Sequence, residues 1–154
     1  MLSNSISKEE ICLDAKAKTP EEAIRETGKL LLARGKIKEA YIDSMIDTFH
    51  SFGPYMVIAP GIAIPHGRPG ELVNEDCICF CRLQEPICFG NRDNDPVSYL
   101  FGIGSHESNG HLEILRDLST FLMNKNNIDQ LAVIKTKDEF LELIRKGGKG
   151  IEGS

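Results

Sequence analysis

Four histidines carry most of the chemistry this chain can offer: His50, His66, His106 and His111. A neutral imidazole keeps a lone pair near pH 7, because its unperturbed pKa is about 6.5. It can therefore serve as nucleophile, base or metal ligand. His66 lies in the run Ala59-Pro60-Gly61-Ile62-Ala63-Ile64-Pro65-His66-Gly67-Arg68-Pro69. Two prolines restrict the backbone before it, and Gly67 allows close approach after it. That arrangement suits a nucleophile presented at a surface. A histidine in an ordinary Pro/Gly-rich turn explains the local pattern equally well.

His111 follows Ser108, Asn109 and Gly110 and opens a leucine-rich segment. Ser108 and Asn109 are good N-cap residues, and a helix start favours an anion. A histidine there can add a hydrogen bond to a phosphate. Taken alone, His111 is better read as a polar residue at a helix start. His106 lies in the preceding loop and either joins the site or is solvated. His50 ends a helical pattern, where the dipole alone accounts for it. Three histidines also suit a catalytic zinc. His106 and His111 are five apart across a helix start, however, and no carboxylate base stands beside His66 in sequence. The metal reading is therefore the weaker, and no metal or other cofactor is expected. The chain has no Walker loop, dinucleotide glycine fingerprint or Gly-x-Ser-x-Gly elbow. A phosphoryl group on His66 would have to come from another protein.

The elements that must position these groups can be read from periodicity. Thr19-Pro20-Glu21-Glu22 is a helix start, with Ala23, Ile24, Thr27, Leu30 and Leu31 inward and Gly35 beyond the end. A second helix is expected from Lys38 to His50, with Tyr41, Ile42, Met45, Ile46 and Phe49 inward. Strands are expected at Tyr55–Ala59, Cys77–Leu83 and Val97–Ile103, with short apolar pieces at Ile62–Ile64 and Ile87–Phe89. The Val97 strand is apolar on both faces and should be central. Helices should follow at His111–Met123, with Leu112, Leu115, Leu118 and Leu122 inward, and at Ile128–Val133. A last helix should open with the capping box Thr136 and Glu139. The fold class is α/β (α+β): a single-domain mixed sheet sandwiched between helices. The domain is expected over residues 1–146, with a flexible tail from 147 to 154.

Composition narrows the class. The 154 residues suit one domain. A net charge of -5 argues against a nucleic-acid partner. No apolar run approaches the ~20 residues that span a bilayer, and the first residues do not resemble a signal peptide. A cytoplasmic location is expected. Five cysteines do not suit a closed disulfide framework. Cys77, Cys79 and Cys81 alternate with Ile78 and Phe80, so they should line one face of a buried strand rather than hold a metal.

From Pro60 to Pro69 the sequence resembles the type 2 enzyme IIA proteins (mannitol/fructose class) of the bacterial phosphoenolpyruvate-dependent sugar phosphotransferase system. Gly53-Pro54-Tyr55 is similar to the L-ascorbate-specific branch. Asn94-Asp95-Pro96-Val97 and His111 also match, and the resemblance runs from about Ser5 to Ile144. It implies a phosphoryl relay. The carrier HPr would phosphorylate His66 on Nε2, and His66 would pass the group to a cysteine of enzyme IIB. The membrane permease enzyme IIC would couple this to sugar uptake. His111 would stabilise the phosphoryl group. Mannitol-type members carry an arginine where this chain has His50, so Arg68 and His106 become candidates for a replacement. A regulatory enzyme IIA without a transport role is the alternative, followed by the metal hydrolase and a binding module without chemistry. The surface around His66 should be shallow and apolar, with Tyr55, Met56 and Ile62 available and at least two of them serving the core.

Overall fold

The computed structural model describes residues 2–109 and 112–149. Strands are β1 (Ile11–Ala15), β2 (Val57–Ala59), β3 (Ile62–Ala63), β4 (Cys77–Ile87) and β5 (Val97–Gly104). Helices are α1 (Pro20–Leu32), α2 (Ala40–Phe52), α3 (Leu112–Leu122), α4 (Lys125–Val133) and α5 (Lys137–Lys149). The sheet order is β1-β4-β5-β3-β2, which places β5 in the middle, as its two apolar faces require. β1 runs parallel to β4, and β3 runs parallel to β5, while β4–β5 and β2–β3 are antiparallel.

The alternation in β4 divides the core. Cys77, Cys79 and Cys81 face the layer of α1 and α2, where they meet Ala23, Ile24, Leu31, Tyr41 and Met45. Ile78 and Phe80 face the opposite layer with Phe101, Leu118, Phe121, Phe140 and Ile144. Phe80 stacks on Phe140 with ring centroids 4.3 Å apart. The mixed sheet is thus covered on both faces. The helix starts follow the local chemistry. Glu22 N donates to Thr19 Oγ1 at 3.1 Å, and Glu139 N donates to Thr136 Oγ1 at 3.0 Å.

Several boundaries differ from the sequence expectation. β1 was not anticipated, because five residues with one charge give no clear alternation; pairing with β4 makes it a strand. β4 continues beyond Leu83 to Ile87, which pairs with Val97 after a shift in register. Tyr55 lies in a 3-10 turn over Gly53–Met56, so β2 starts only at Val57. α3 buries Ile114, Leu118 and Phe121, while Leu112 is 57% exposed. Both apolar stripes have helical spacing; the one carrying Phe121 takes the sheet. α5 runs to Lys149, past the domain end expected at residue 146. Gly147 allows this, because a Cβ there would stand 2.7 Å from Phe121 and 2.8 Å from Asn127. Residues 150–154 lie outside the described residues.

The three buried cysteines of β4 make the fold sensitive to alkaline pH. Burial pushes the Cys77 thiol up to about 12 from an ordinary 9.0, and pushes Cys79 well above it. For Cys81 the hydrogen bond with Cys12 is the largest cause of an upward shift, followed by burial. Such thiols stabilise the fold fully below pH 9 and lose that contribution as pH rises from 9 toward 12, because only the unfolded chain ionises there. Urea titrations under reducing conditions should show stability falling above pH 9. Replacing Cys79 with Ala should make that fall shallower by up to about 1.4 kcal/mol per pH unit.

Candidate phosphoryl site

Backbone hydrogen bonds hold the segment around His66 from both sides. Before it, Ile64 N donates to Met56 O at 2.7 Å, and Ile103 N donates to Pro65 O at 3.0 Å. His66 itself forms an isolated parallel bridge with Ile103 of β5. After it, Gly67 N donates to the Tyr41 hydroxyl at 2.8 Å, which in turn donates to Ile103 O at 2.8 Å. Arg68 N donates to Ser44 Oγ at 2.9 Å. Tyr41 and Ser44 both come from α2. Gly67 is required where it stands: a Cβ would lie 2.7 Å from Ser44 Oγ and 2.9 Å from Tyr41 Cε1. Burial pushes the Tyr41 hydroxyl far above its ordinary pKa, so it remains a donor to Ile103 O.

The ring of His66 is exposed, and its orientation is set by its own segment. Nδ1 lies 2.9 Å from Ile64 O. A carbonyl can only accept, so Nδ1 carries the hydrogen, and a neutral ring keeps its lone pair on Nε2. This is the tautomer a nucleophilic Nε2 needs. The carbonyl that fixes it could not be named from the sequence.

His66 opens onto a cleft of about 360 Å³ whose other walls include Tyr55, Ile58, Ile64, Ser105 and Leu115. The rim is apolar. Tyr55 is 83% exposed, and Phe52 and Ile58 are also exposed. Met56 and Ile62 are buried, so of the three residues expected to serve either surface or core, two serve the core. Leu115 belongs to α3, so both helical layers contribute to the cleft.

The other candidate residues separate. Arg68 is exposed, and its guanidinium has no hydrogen bond or ion pair among the described residues. His106 places Nδ1 2.8 Å from Val73 O, while its backbone N donates to Asp76 Oδ1. Its neighbour Ser105 lines the cleft, but His106 does not. His50 also stands outside the lining; its Nε2 is 2.8 Å from Glu21 Oε2. That contact lowers the Glu21 carboxyl below its ordinary range. His111 lies outside the described residues. Among the described residues, no three His, Cys, Asp or Glu side chains are grouped to hold a metal ion. No helix of the described residues is long and apolar enough to cross a membrane.

The sequence reading passed over Tyr41 and Ser44 as site residues. Helical spacing places Tyr41 on the apolar face of α2, yet a buried tyrosine needs a partner for its hydroxyl. That need was the available signal.

The chain is similar to known proteins over nearly its whole length. Residues 4–147 match the family model of the phosphoenolpyruvate-dependent sugar phosphotransferase system, EIIA 2. The ascorbate-specific PTS system EIIA component of Escherichia coli (strain K12) is 36% identical over 135 residues, covering 87% of this chain and 88% of that protein. Among solved structures, mannitol IIA from Escherichia coli superposes with a TM-score of 0.80 at 30% identity, covering 90% of this chain and 98% of that one. The complex of enzyme IIA mannitol and phosphorylated enzyme IIB mannitol from Escherichia coli matches with a TM-score of 0.80 at 29% identity, covering 91% of this chain and 96% of that one. The fold, the exposed histidine and these matches agree: the chain belongs to the EIIA 2 family and is a phosphotransferase component of the phosphoenolpyruvate-dependent sugar phosphotransferase system.

Proposed function

We propose that His66 is the phosphoryl carrier of this component, and that its Nε2 is the accepting atom. The observation that carries this reading is the hydrogen bond from Nδ1 to Ile64 O on an exposed side chain, which in a neutral ring leaves the lone pair on Nε2. A new P–N bond forms at Nε2 as the P–N bond to the donor histidine of HPr breaks. The same Ile64 carbonyl then faces an Nδ1–H whose ring has become more positive, which strengthens that hydrogen bond. The group next moves to a cysteine thiolate of enzyme IIB, and the membrane permease enzyme IIC couples the relay to uptake on the cytoplasmic side. A loose transition state places charge on three equatorial oxygens, so positioning and donors supply the catalysis. His111 and the guanidinium of Arg68 are the donors we assign. No metal or cofactor is needed.

Two further points support the partners and the substrate. The apolar rim of Phe52, Tyr55 and Ile58 suits brief protein docking. The mannitol relative was solved with its phosphorylated enzyme IIB. Relatives at 36% identity are ascorbate-specific, so ascorbate is the sugar we assign to the system.

Intact-mass measurement at neutral to alkaline pH tests the reading. Incubation with phosphoenolpyruvate, enzyme I and HPr should add one acid-labile phosphoryl group, absent from His66→Ala. No gain with active upstream proteins would overturn it. Replacing His111 with Ala should leave the fold intact and slow transfer on the order of 10²-fold, as expected for losing one transition-state donor. Replacing Tyr41 with Phe leaves the buried Gly67 N–H without its acceptor and should cost about 1–3 kcal/mol in denaturant titrations. The same variant should slow transfer with little change in the HPr concentration that half-saturates it.

A further inference from the structure

The row of cysteines in β4 meets one cysteine from another strand. Cys12 of β1 is the direct Cα partner of Cys81 in the parallel β1–β4 pair. β1 is the outer strand of the sheet, so Cys12 is half-buried at an edge while Cys81 is enclosed. Cys12 packs against the same cluster of side chains that contains Cys81, on the α1 face. We propose that Cys12 is a thiol-oxidation site for hydroperoxides, with Cys81 as its resolving partner, closing a reversible disulfide between β1 and β4.

Geometry singles out this pair. Neighbouring strands lie roughly 4.7–4.9 Å apart, inside the Cα range of about 4.4–6.8 Å found for disulfides. Residues i and i+2 of one strand stand roughly 6.6 Å apart with parallel Cβ vectors, so Cys77, Cys79 and Cys81 cannot bridge each other without backbone movement. Their thiols are otherwise occupied: Cys77 donates to Gly104 O and Cys79 to Thr27 O, at 3.8 and 3.2 Å. The fifth cysteine, Cys88, is exposed at the far end of β4, one residue past Ile87.

The chemistry of Cys12 fits the same role. The hydrogen bond from the Cys81 thiol is the largest influence on it and lowers it to about 7 from an ordinary 9.0. The Cys12 thiol also donates to Asp14 Oδ1, Sγ to Oδ1 3.6 Å, a smaller influence that opposes ionisation. A substantial thiolate fraction at neutral pH, combined with partial access, is what makes a cysteine reactive. The thiolate attacks the nearer peroxide oxygen, the O–O bond breaks, and the alkoxide leaves with a proton from water as an alcohol, giving Cys12 sulfenic acid. The Cys81 sulfur then attacks the Cys12 sulfur. The S–S bond forms, the S–O bond breaks, and the hydroxyl departs as water with the Cys81 proton. Two thiols are oxidised by two electrons and one peroxide is reduced. A bridge between directly facing residues has Cβ atoms held near the strand spacing rather than the roughly 3.8 Å a relaxed disulfide prefers, which favours ready reduction.

The test uses the whole reduced protein with stoichiometric hydrogen peroxide, followed by thiol alkylation under denaturing conditions. The expected product is a monomer lighter by two hydrogens, with three alkylated cysteines instead of five and a linked Cys12–Cys81 peptide after digestion. Reduced glutathione should restore all five thiols. Cys12→Ser, at a half-buried edge position, should abolish the bridge, and Cys88→Ser should leave it unchanged. Peptide mapping of the unmutated protein decides the matter independently of any variant's folding. Five alkylatable thiols after oxidation, a stable sulfenic or sulfinic acid at Cys12, or a bridge or dimer through Cys88 instead would each overturn the proposal.

Discussion

The site depends on one residue of the central strand. Ile103 uses both of its backbone groups on the segment that carries His66: its N–H goes to Pro65 O, and its carbonyl receives the Tyr41 hydroxyl that in turn holds Gly67 N. The histidine is therefore clamped on both sides by a circuit that runs from β5 through α2 and back. Its side chain needs only one further bond, to Ile64 O, to fix the ring. Every link in this circuit is short in space and long in sequence. Tyr41 and Ile103 are separated by the whole middle of the chain, so the fold must be complete before the histidine is aimed. These bonds, rather than the two-residue strand β3 that precedes it, hold the His66 segment in place.

What the circuit does not do is equally informative for the relay proposed above. It binds backbone and one ring nitrogen, and leaves Nε2 outside. Among the described residues the walls nearest the ring are largely apolar, and Arg68, close by in sequence, is exposed. A charged cage would lower the energy of the phosphorylated histidine and so raise the barrier to passing the group on. In the proposed relay, an exposed His66 between largely apolar walls would keep acceptance and donation close in free energy. It would also let each partner protein in that relay add donors to those assigned to His111 and Arg68, and exclude water on docking.

Much of this was legible in the sequence, and the failures follow a pattern. The helix starts at Thr19 and Thr136 were readable because their chemistry is local, completed within three or four residues. The cysteine ladder of β4 was readable from alternation alone, and the apolar β5 was readable as central. For His66 the Pro/Gly-rich run was equally consistent with an ordinary turn and the resemblance decided the choice; Gly67, read as open to another molecule, is instead packed against Tyr41 and Ser44 of the chain itself. β1 and the end of β4 were missed because they are strands only by virtue of their partners. The choice between two helical stripes on α3 was missed for the same reason. The roles of Tyr41 and Ser44 were hidden because a hydroxyl on an otherwise apolar helix face reveals its partner only in three dimensions.

The topology explains why the two helical layers meet at this place and no other. β3 and β5 run parallel, so their carboxyl ends open on the same edge of the sheet. The chain leaving β3 turns into the α2 layer, where Tyr41 and Ser44 hold it. The chain leaving β5 passes Ser105 and enters α3 in the opposite layer, whose Leu115 reaches the same cleft. Adjacent parallel strands whose continuations diverge to opposite faces leave a crevice outside their carboxyl ends, where ligands of open α/β sheets are commonly bound. Here β3 is too short to do more than deliver its histidine to that crevice. His66 comes from one side, the α3 layer approaches from the other, and the antiparallel β4 pairs with β5 on its far side. Side chains from both layers therefore border His66 without burying it, which is the arrangement the proposed carrier role needs if two different proteins are to reach the same atom in turn.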